Sequence, residues 1–315
     1  MMATPGAFHR SSTFLHPPVF LAGPTAAGKS AVALALAEKI GGEIISADSM
    51  QVYRGLDLGT AKPSAEERAR VRHHLVDICD LREAFDAAQF VRLARQAVEE
   101  IQARGRAPIF CGGTGLYFMA FREGLGEAPP ADEKLRAELR AMPLEQLLTE
   151  LEERDPVTFD RIDRQNPRRV IRAVEVIRLT GKKFSEQRAD WKPAAPCTEP
   201  EERIYCLSRQ PDDLRGRIEA RVEAMFARGL VEETRNLLTR GLAENQTAMQ
   251  ALGYRQVVEH LRGERGLAQT IEVVKKRTRL FAKRQLTWFR RRSHCQWIEL
   301  QPDEPASETV EKIRC

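Results

Sequence analysis

Short apolar runs alternate with longer polar segments along the first third of the chain. Four runs that contain β-branched residues predict buried strands, at residues 19–22, 43–47, 74–78 and 108–111. Residues 87–104 place apolar side chains at helical spacing and predict an amphipathic helix. Strands that alternate with helices favour a parallel sheet with helices packed on both faces. The pattern therefore predicts an α/β fold.

The middle of the chain follows a different pattern. Pro129 and Pro130 interrupt the chain, and the charge-rich segments 132–153 and 167–179 have the apolar spacing of amphipathic helices. No strand pattern lies between these segments. We therefore predict an all-helical insertion domain over residues 126–200.

The insertion is expected to divide a core that consists of residues 19–125 and 201–315. The proline-rich stretch 191–200 predicts a return linker, and residues 203–208 predict a strand that rejoins the sheet. Residues 213–238 predict one long helix with an apolar stripe. The core therefore regains its sheet after the insertion.

A glycine-rich segment between the first strand and the first helix fits the Walker A pattern at every fixed position. Its residues are Gly23, Pro24, Thr25, Ala26, Ala27, Gly28, Lys29 and Ser30. In such a turn, backbone N–H groups and the positive end of a helix dipole face phosphate oxygens. Lys29 is expected on the outer phosphates, and Ser30 is expected to hold Mg²⁺. The segment predicts a P-loop NTPase-like sheet and a polyphosphate site, but it does not specify the reaction.

Polar residues also follow two other predicted strands. Asp48 and Ser49 come after the second strand, and the segment 112–115 comes after the fourth. Because ligands bind at the carboxyl ends of parallel strands, these residues are expected to face the P-loop. Arg217 and Arg221, one helical turn apart, can reach one anion together or lie on a solvated face.

The charge of the chain is concentrated near its end. Its formal net charge is only +5, but residues 275–292 contain nine basic side chains, no acidic one, and three aromatic ones. Cations suit nucleic-acid phosphates, and rings can stack on unpaired bases. The seven-residue spacing of Phe281 and Trp288 favours packing of these two rings against the core. The segment predicts an RNA-binding helix or a solvated basic one.

Cysteine and histidine usage favours reduced thiols without a metal centre. The six cysteines form no CxxC pair, and His73-His74 is the only histidine pair, which suits strand packing or substrate contact better than zinc. No apolar run is long enough to cross a bilayer. We expect a cytoplasmic protein without membrane contact, and a disordered tail at residues 1–18.

Seven separated segments resemble, in kind and order, the tRNA dimethylallyltransferase family. They are GPTAAGKS from residue 23, SADSMQVYRGLDLGTAKP from 46, GGTGLY from 112, NPRRVIRAVEV from 166, LRGRIEARVEAMF from 214, QALGYRQ from 250 and AKRQLTWFRR from 282. The resemblance covers about residues 19–300. One departure is Gly115, where other bacterial members often carry a bulkier residue such as methionine.

The resemblance implies transfer of a dimethylallyl group from dimethylallyl diphosphate to the N6 amine of the adenosine 3′ of the tRNA anticodon. It implies three catalytic residues, namely Asp48 as the base, Thr114 at the bridging oxygen, and Arg217. Asp48 in its strand-end position is also compatible with a helix cap or a magnesium ligand. The diphosphate is expected to bind to Gly23, Thr25, Ala26, Ala27, Gly28, Lys29, Ser30 and Arg221, with Mg²⁺ on Ser30.

The resemblance also implies contacts with a tRNA anticodon stem-loop, whose target base must leave its stack to reach Asp48. The matched positions are Asp48, Ser49, Met50, Gln51, Arg168, Arg169, Val170, Ile171, Arg172, Gln250, Gly253, Tyr254, Arg255, Lys283, Arg284, Gln285, Trp288 and Arg290. The helical insertion is expected to grip the stem. We expect the protein to act as a monomer.

Three other functions compete with this one. A P-loop kinase for a nucleoside or small alcohol would also use Asp48 as a base, but it would consume ATP and ignore tRNA. Prenyl transfer to free adenosine monophosphate would not need the insertion and the basic segment. A non-enzymatic RNA-binding protein would not need Lys29, Ser30, Asp48 and Thr114 together.

Overall fold

The computed structural model describes residues 16–189, 203–292 and 295–314. The described residues form two compact units, one of residues 122–189 and the other of residues 16–121 with 203–314. Residues 1–15 of the predicted tail at 1–18, and the predicted linker at 191–200, lie outside the described residues.

One unit contains a six-stranded parallel sheet in the order β3-β2-β4-β1-β5-β6. Its strands are β1 (Val19–Ala22), β2 (Glu43–Ala47), β3 (His73–His74), β4 (Pro108–Gly112), β5 (Arg203–Arg209) and β6 (Gln296–Leu300). The predicted α/β class and the parallel sheet are confirmed. The third strand is shorter than predicted, and β6 was not predicted, because only its residues 298 and 300 are buried.

Helices account for most of the remaining described chain. In chain order they are α1 (Lys29–Ile40), α2 (Ala65–Arg70), α3 (Ala87–Ala103), α4 (Gly115–Glu123), α5 (Glu133–Ala141), α6 (Leu144–Arg154), α7 (Pro156–Arg161), α8 (Pro167–Thr180), α9 (Phe184–Gln187), α10 (Pro211–Ala227), α11 (Leu230–Leu238), α12 (Tyr254–Leu261), α13 (Leu267–Arg292) and α14 (Ala306–Glu311). None of the helices within the described ranges is long and apolar enough to cross a membrane.

Two predicted helices are each divided in the structure. The long helix predicted over 213–238 is α10 followed by α11, because Gly229 has a φ of 98° that ends the helical path. The helix predicted over 132–153 is α5 followed by α6, and Pro143 precedes the first residue of α6. A proline ring disfavours helical backbone in the residue before it, so the helix ends there.

The sheet is buried between helices. Apolar residues of β1, β2, β4 and β5 pack on α1 and α14 in one cluster, whose members include Leu21, Leu36, Ile109 and Leu207. An aromatic group packs around Phe20, which stacks on Phe110 with ring centroids 4.8 Å apart. Because all strands are parallel, their carboxyl ends lie at the same edge of the sheet, where polar loops follow them.

The unit of residues 122–189 has no strand among its described residues and has a core of its own. Leu139, Leu147, Leu151 and Val174 are fully buried between α5, α6 and α8. Glu175 is completely buried and is neutralised by Arg136 and Arg172. A buried carboxylate must be paired in this way, because an isolated charge in an apolar interior is costly.

Candidate active site

The glycine-rich turn after β1 has the backbone geometry of an anion site. Gly28 caps α1 with a φ of 103°, and Ala26 also has a positive φ of 65°. Gly23 lies so close to Leu207 that a side chain there would overlap the Leu207 carbonyl. Glycine is therefore required at this position, and the turn is held tightly against β5.

An open cleft of about 680 Å³, part of which is open to solvent, lies at the carboxyl edge of the sheet. The P-loop contributes Thr25, Lys29 and Ser30, and β2 with the residue that follows it contributes Ser46 and Asp48. Further lining residues come from the end of β4 and the loop after it, from α10 and from α13, namely Gly112, Gly113, Arg221, Phe281 and Gln285. The cleft therefore joins several segments that are far apart in the sequence.

Lys29 is the cation at the centre of this cleft. Its Nζ donates a hydrogen bond of 2.7 Å to the carbonyl of Pro24. Burial, assisted by the nearby Arg221, lowers the pKa of Lys29 to about 8, while Cys111 and Asp48 partly oppose the shift. An ammonium group that has lost hydration in this way is stabilised by an incoming anion.

Arg221 is a second cation in the cleft. Burial lowers its pKa, and the Asp48 carboxylate acts in the opposite direction. Its guanidinium forms no hydrogen bond or ion pair within the described residues, whereas Arg215 and Arg217, the other arginines of α10, are both paired. A half-buried arginine that faces a cleft without a carboxylate partner is suited to bind a phosphate group.

Arg217 does not join Arg221 at the cleft. Its Nε donates to Asp213 Oδ1 at 3.2 Å, and a terminal nitrogen donates to the carbonyl of Pro302. The expectation that both arginines reach one anion is therefore corrected in favour of Arg221. The reason is the Asp213 carboxylate one turn earlier on α10, which pairs with the Arg217 guanidinium.

Asp48 and Thr114 lie on neighbouring loops at the end of β2 and β4. The backbone N–H of Ser49 donates to Thr114 Oγ1 at 3.2 Å, and the N–H of Thr114 donates to the carbonyl of Ala47 at 3.2 Å. The N–H of Met50 donates to Asp48 Oδ1 at 2.8 Å. Within the described chain this is the only hydrogen bond to the Asp48 carboxylate, so Oδ2 is available to a ligand.

The residues of the cleft suit a magnesium ion held mainly by phosphate. Mg²⁺ usually binds one or two protein oxygens together with substrate phosphates and waters. Ser30 supplies a hydroxyl at the start of α1, and Asp48 supplies a carboxylate to the same cleft. No group of three metal-binding side chains occurs among the described residues, so a metal held by protein alone does not fit.

Comparison with known proteins identifies the family. A family model described as IPP transferase matches residues 51–292. The chain belongs to the IPP transferase family. A relative named tRNA dimethylallyltransferase, from Geobacter metallireducens, is 45% identical over an alignment of 289 residues, with 89% of this chain and 92% of the relative covered.

Solved structures of IPP transferases resemble this fold. The tRNA isopentenylpyrophosphate transferase of Bacillus halodurans has a TM-score of 0.67 and 39% identity, with 94% of this chain and 95% of that chain covered. A eukaryotic dimethylallyltransferase acting on tRNA has a TM-score of 0.73 and 27% identity, with 93% of this chain and 77% of that chain covered. The similarity extends over both units of this chain.

The IPP transferase segments that were predicted to contact tRNA differ in their exposure. Seven of these side chains are exposed, namely Arg168, Arg169, Gln250, Arg255, Lys283, Arg284 and Arg290. Val170, Gly253 and Tyr254 are buried, and Tyr254 donates to Glu233 through its hydroxyl. These three residues pack inside the protein, and their direct contact with RNA stays a prediction.

Two glutamines of the predicted tRNA segments have their amide groups occupied inside the protein. Gln51 accepts from the Ser46 hydroxyl at 2.8 Å and donates to the carbonyls of Thr60 and Ala61. Gln285 is buried and bonds to the P-loop and to Gly113. In this IPP transferase both amides therefore have partners that organise the cleft, and their contact with RNA stays a prediction.

The remaining predicted positions are partly exposed. Ser49 and Met50 follow Asp48, and Ile171 packs at the margin of the helical core of its own unit. Arg172 pairs with Glu175 and donates to the carbonyl of Pro129, so its guanidinium has structural partners. Trp288 packs against Gly115 and lies edge-on to Phe289.

Sequence analysis missed several residues that line the cleft. They include Ala33, Ile44, Thr60, Ala61, Pro63 and Phe281. His73 also lines it, with Nδ1 2.8 Å from the carbonyl of Val71, and burial lowers the pKa of its imidazole. The apolar members were assigned to the core because hydrophobic spacing cannot distinguish a core position from the wall of a pocket.

Proposed function

We propose that this protein transfers a dimethylallyl group from dimethylallyl diphosphate to the N6 amine of the adenosine 3′ of the anticodon in tRNA. The observation that carries this proposal is the meeting of Lys29, Arg221 and Asp48 in one cleft. Two cations beside a P-loop suit a diphosphate, and a carboxylate with one oxygen available suits an amine that loses a proton. The names of the relatives support the same function.

In the proposed reaction, the N6 nitrogen forms a bond to C1 of the donor while the bond from C1 to the bridging oxygen breaks. The N6 proton passes to Asp48, and diphosphate leaves with the bonding electrons. An aromatic amine is a weak nucleophile, so removal of its proton as the bond forms assists the reaction. General-base assistance of this type contributes about 10²–10⁴-fold to the rate.

The leaving diphosphate gains negative charge on its bridging oxygen. Thr114 accepts a hydrogen bond from Ser49, so its own hydroxyl hydrogen can be donated to that oxygen. Lys29, Arg221 and the N-terminus of α1 are placed before the reaction and need little rearrangement to stabilise the charge. Ser30 would hold Mg²⁺, which would supply additional positive charge for the leaving group.

The proposed acceptor explains features that a small substrate would not need. A target base within an anticodon loop must be turned out of its stack to reach Asp48. Exposed cations on α13, together with Arg168 and Arg169 of the helical unit, suit the tRNA backbone. We further propose a cytoplasmic monomer, because the residues that line the cleft all belong to one chain and the described cysteines form no disulfide with one another.

The test is an incubation with dimethylallyl diphosphate, Mg²⁺ and unmodified tRNA, followed by mass analysis of the nucleosides. We expect adenosine that is heavier by one dimethylallyl group, and far slower formation of this product with Asp48→Asn. Parallel reactions with ATP and with adenosine monophosphate test the competing functions. ATP consumption against a small acceptor, or prenylation of the free nucleotide but not of tRNA, would refute the proposal.

A further inference from the structure

Helix α13 places one buried amide between exposed cations. Lys283 and Arg284 are exposed, as expected for a basic RNA-binding face, whereas Gln285 is only 7% exposed. A buried amide requires hydrogen-bond partners for both its oxygen and its nitrogen. The partners of Gln285 therefore show what its side chain does.

Both ends of the Gln285 amide bond to backbone of the candidate active site. Oε1 accepts from the backbone N–H of Thr25 in the P-loop at 2.8 Å, and Nε2 donates to the carbonyl of Gly113 at 3.0 Å. The reverse placement of oxygen and nitrogen would pair donor with donor and acceptor with acceptor, so only one orientation of the amide satisfies both contacts.

Two neighbouring features hold this amide in place. A side chain at Gly113 would overlap the Gln285 amide nitrogen, so the glycine allows the close approach of α13 to the loop after β4. On α13, Ala282 and Leu286 flank Gln285 and belong to an apolar cluster that includes Ala26 of the P-loop. The helix is therefore anchored by packing as well as by hydrogen bonds.

The contacts connect the two loops that are proposed to act on the diphosphate. Thr25 precedes the amides at the start of α1, and Gly113 precedes Thr114. Through Ser49, which donates to Thr114, the same network reaches the end of β2 beside Asp48. A displacement of one loop would change the distance between the phosphate site and the hydroxyl at the bridging oxygen.

We propose that Gln285 is a positioning residue that holds the P-loop and the Gly113–Thr114 turn at the separation required by the donor diphosphate. This inference rests on the proposed function, because it assumes a diphosphate in the cleft. It assigns to α13 a second role beside RNA contact, that of a brace for the donor site. The Thr25 N–H is used by Gln285 and is not an anion ligand.

The test compares Gln285→Met, which has similar length and no amide, with Gln285→Glu. Position 285 is buried, and burial raises the pKa of a carboxyl group there, so that it can be protonated at mildly acidic pH. A protonated glutamic acid can accept from Thr25 and donate to Gly113 as the amide does, whereas an ionised one cannot donate. Thr287→Val, an exposed position on the same helix, is the control. Affinities for inorganic diphosphate and for tRNA are measured separately at pH 5.5 and pH 8.

We expect Gln285→Met to bind diphosphate roughly tenfold more weakly at both pH values, as for a lost pair of buried hydrogen bonds, with tRNA affinity unchanged. Gln285→Glu is expected to bind diphosphate as weakly as Gln285→Met at pH 8. At pH 5.5 it should regain most of the wild-type affinity for diphosphate. Recovery by protonation would not follow from a general loss of packing. The Thr287→Val protein should resemble the wild type in both measurements.

Three results would overturn the inference. They are unchanged diphosphate affinity in both Gln285 variants, a loss confined to tRNA affinity, and the absence of any difference between the variants at pH 5.5. Diphosphate binding does not depend on prenyl transfer, so the inference survives if the wild type binds diphosphate without transferring a dimethylallyl group. If the wild type does not bind diphosphate, both the inference and the proposed function fail.

Discussion

The indole ring of Trp288 packs directly on the Cα atom of Gly115. A side chain at position 115 would overlap several ring atoms of Trp288, and Gly115 itself is buried at the start of α4. Trp288 of α13 therefore explains why the residue after Thr114 is a glycine. The small residue accommodates an aromatic ring from a distant segment and does not enlarge the cleft.

Gly115→Met should destabilise the protein, because the added side chain must displace Trp288. Overpacking of this kind costs about 1–3 kcal/mol in free energy of unfolding. The combination with Trp288→Ala should recover part of that loss, so the two changes should be non-additive in chemical denaturation. Additive effects of the two substitutions would show that the residues do not compete for the same space.

Arg221→Ala and Arg217→Ala form a matched pair on one helix. Arg221 lines the cleft without a carboxylate partner, whereas Arg217 pairs with Asp213. We expect Arg221→Ala to weaken diphosphate binding by at least tenfold, as for a lost charge-assisted contact of about 1.5–3 kcal/mol. Arg217→Ala should have less than a threefold effect. Equal losses in a calorimetric titration with diphosphate would contradict this assignment.

Asp48→Ala should reduce kcat far more than it reduces tRNA affinity. The proposed base acts on a proton that moves only as the new bond forms, and its removal should cost about 10²–10⁴-fold in rate. Single-turnover transfer with saturating tRNA measures the rate, and filter binding measures the affinity. A near-normal rate in Asp48→Ala would assign the base to another residue.

Diphosphate affinity should fall as the pH rises above about 8. Burial lowers the pKa of Lys29 to about 8 in the free protein, so the side chain is charged below this pH and becomes neutral above it. A bound anion favours the charged form and raises this pKa again, so binding above pH 8 requires uptake of a proton.

The expected loss is at most about tenfold in affinity for each pH unit above 8. Diphosphate titrations from pH 6.5 to pH 9.5 measure it. Lys29→Met should bind diphosphate weakly, and its diphosphate affinity should not show this decrease above pH 8. The same slope in Lys29→Met would show that another group titrates.

The exposed cations of α13 should contribute to the salt dependence of tRNA binding. Lys283→Ala, Arg284→Ala and Arg290→Ala should each weaken tRNA binding and reduce the slope of log K against log salt by up to about 0.9. Lys39, on α1 and paired with Glu311, is an exposed control position. If Lys39→Ala changes the slope as much as the α13 variants do, the effect reflects the net charge of the protein and not direct contact between α13 and tRNA.

The strands and the P-loop were predictable because their information is local. A buried parallel strand requires a continuous apolar run, and a phosphate turn requires glycines at fixed spacing. The runs at 19–22 and 43–47 match β1 and β2 residue for residue. Local signals failed where a single residue changed the chain path, as at Gly229, and where a strand was only partly buried, as in β6.

The sequence by itself determined the α/β sheet, the P-loop and the family to which the chain belongs, because these depend on residue types at short, regular spacing. Only the tertiary structure decided which side chains meet. It separated Arg221 from Arg217, placed the amide of Gln285 on the P-loop, and packed Trp288 on Gly115. Each of these contacts depends on how the helices pack on the sheet. No local sequence pattern encodes the distance between side chains on different elements.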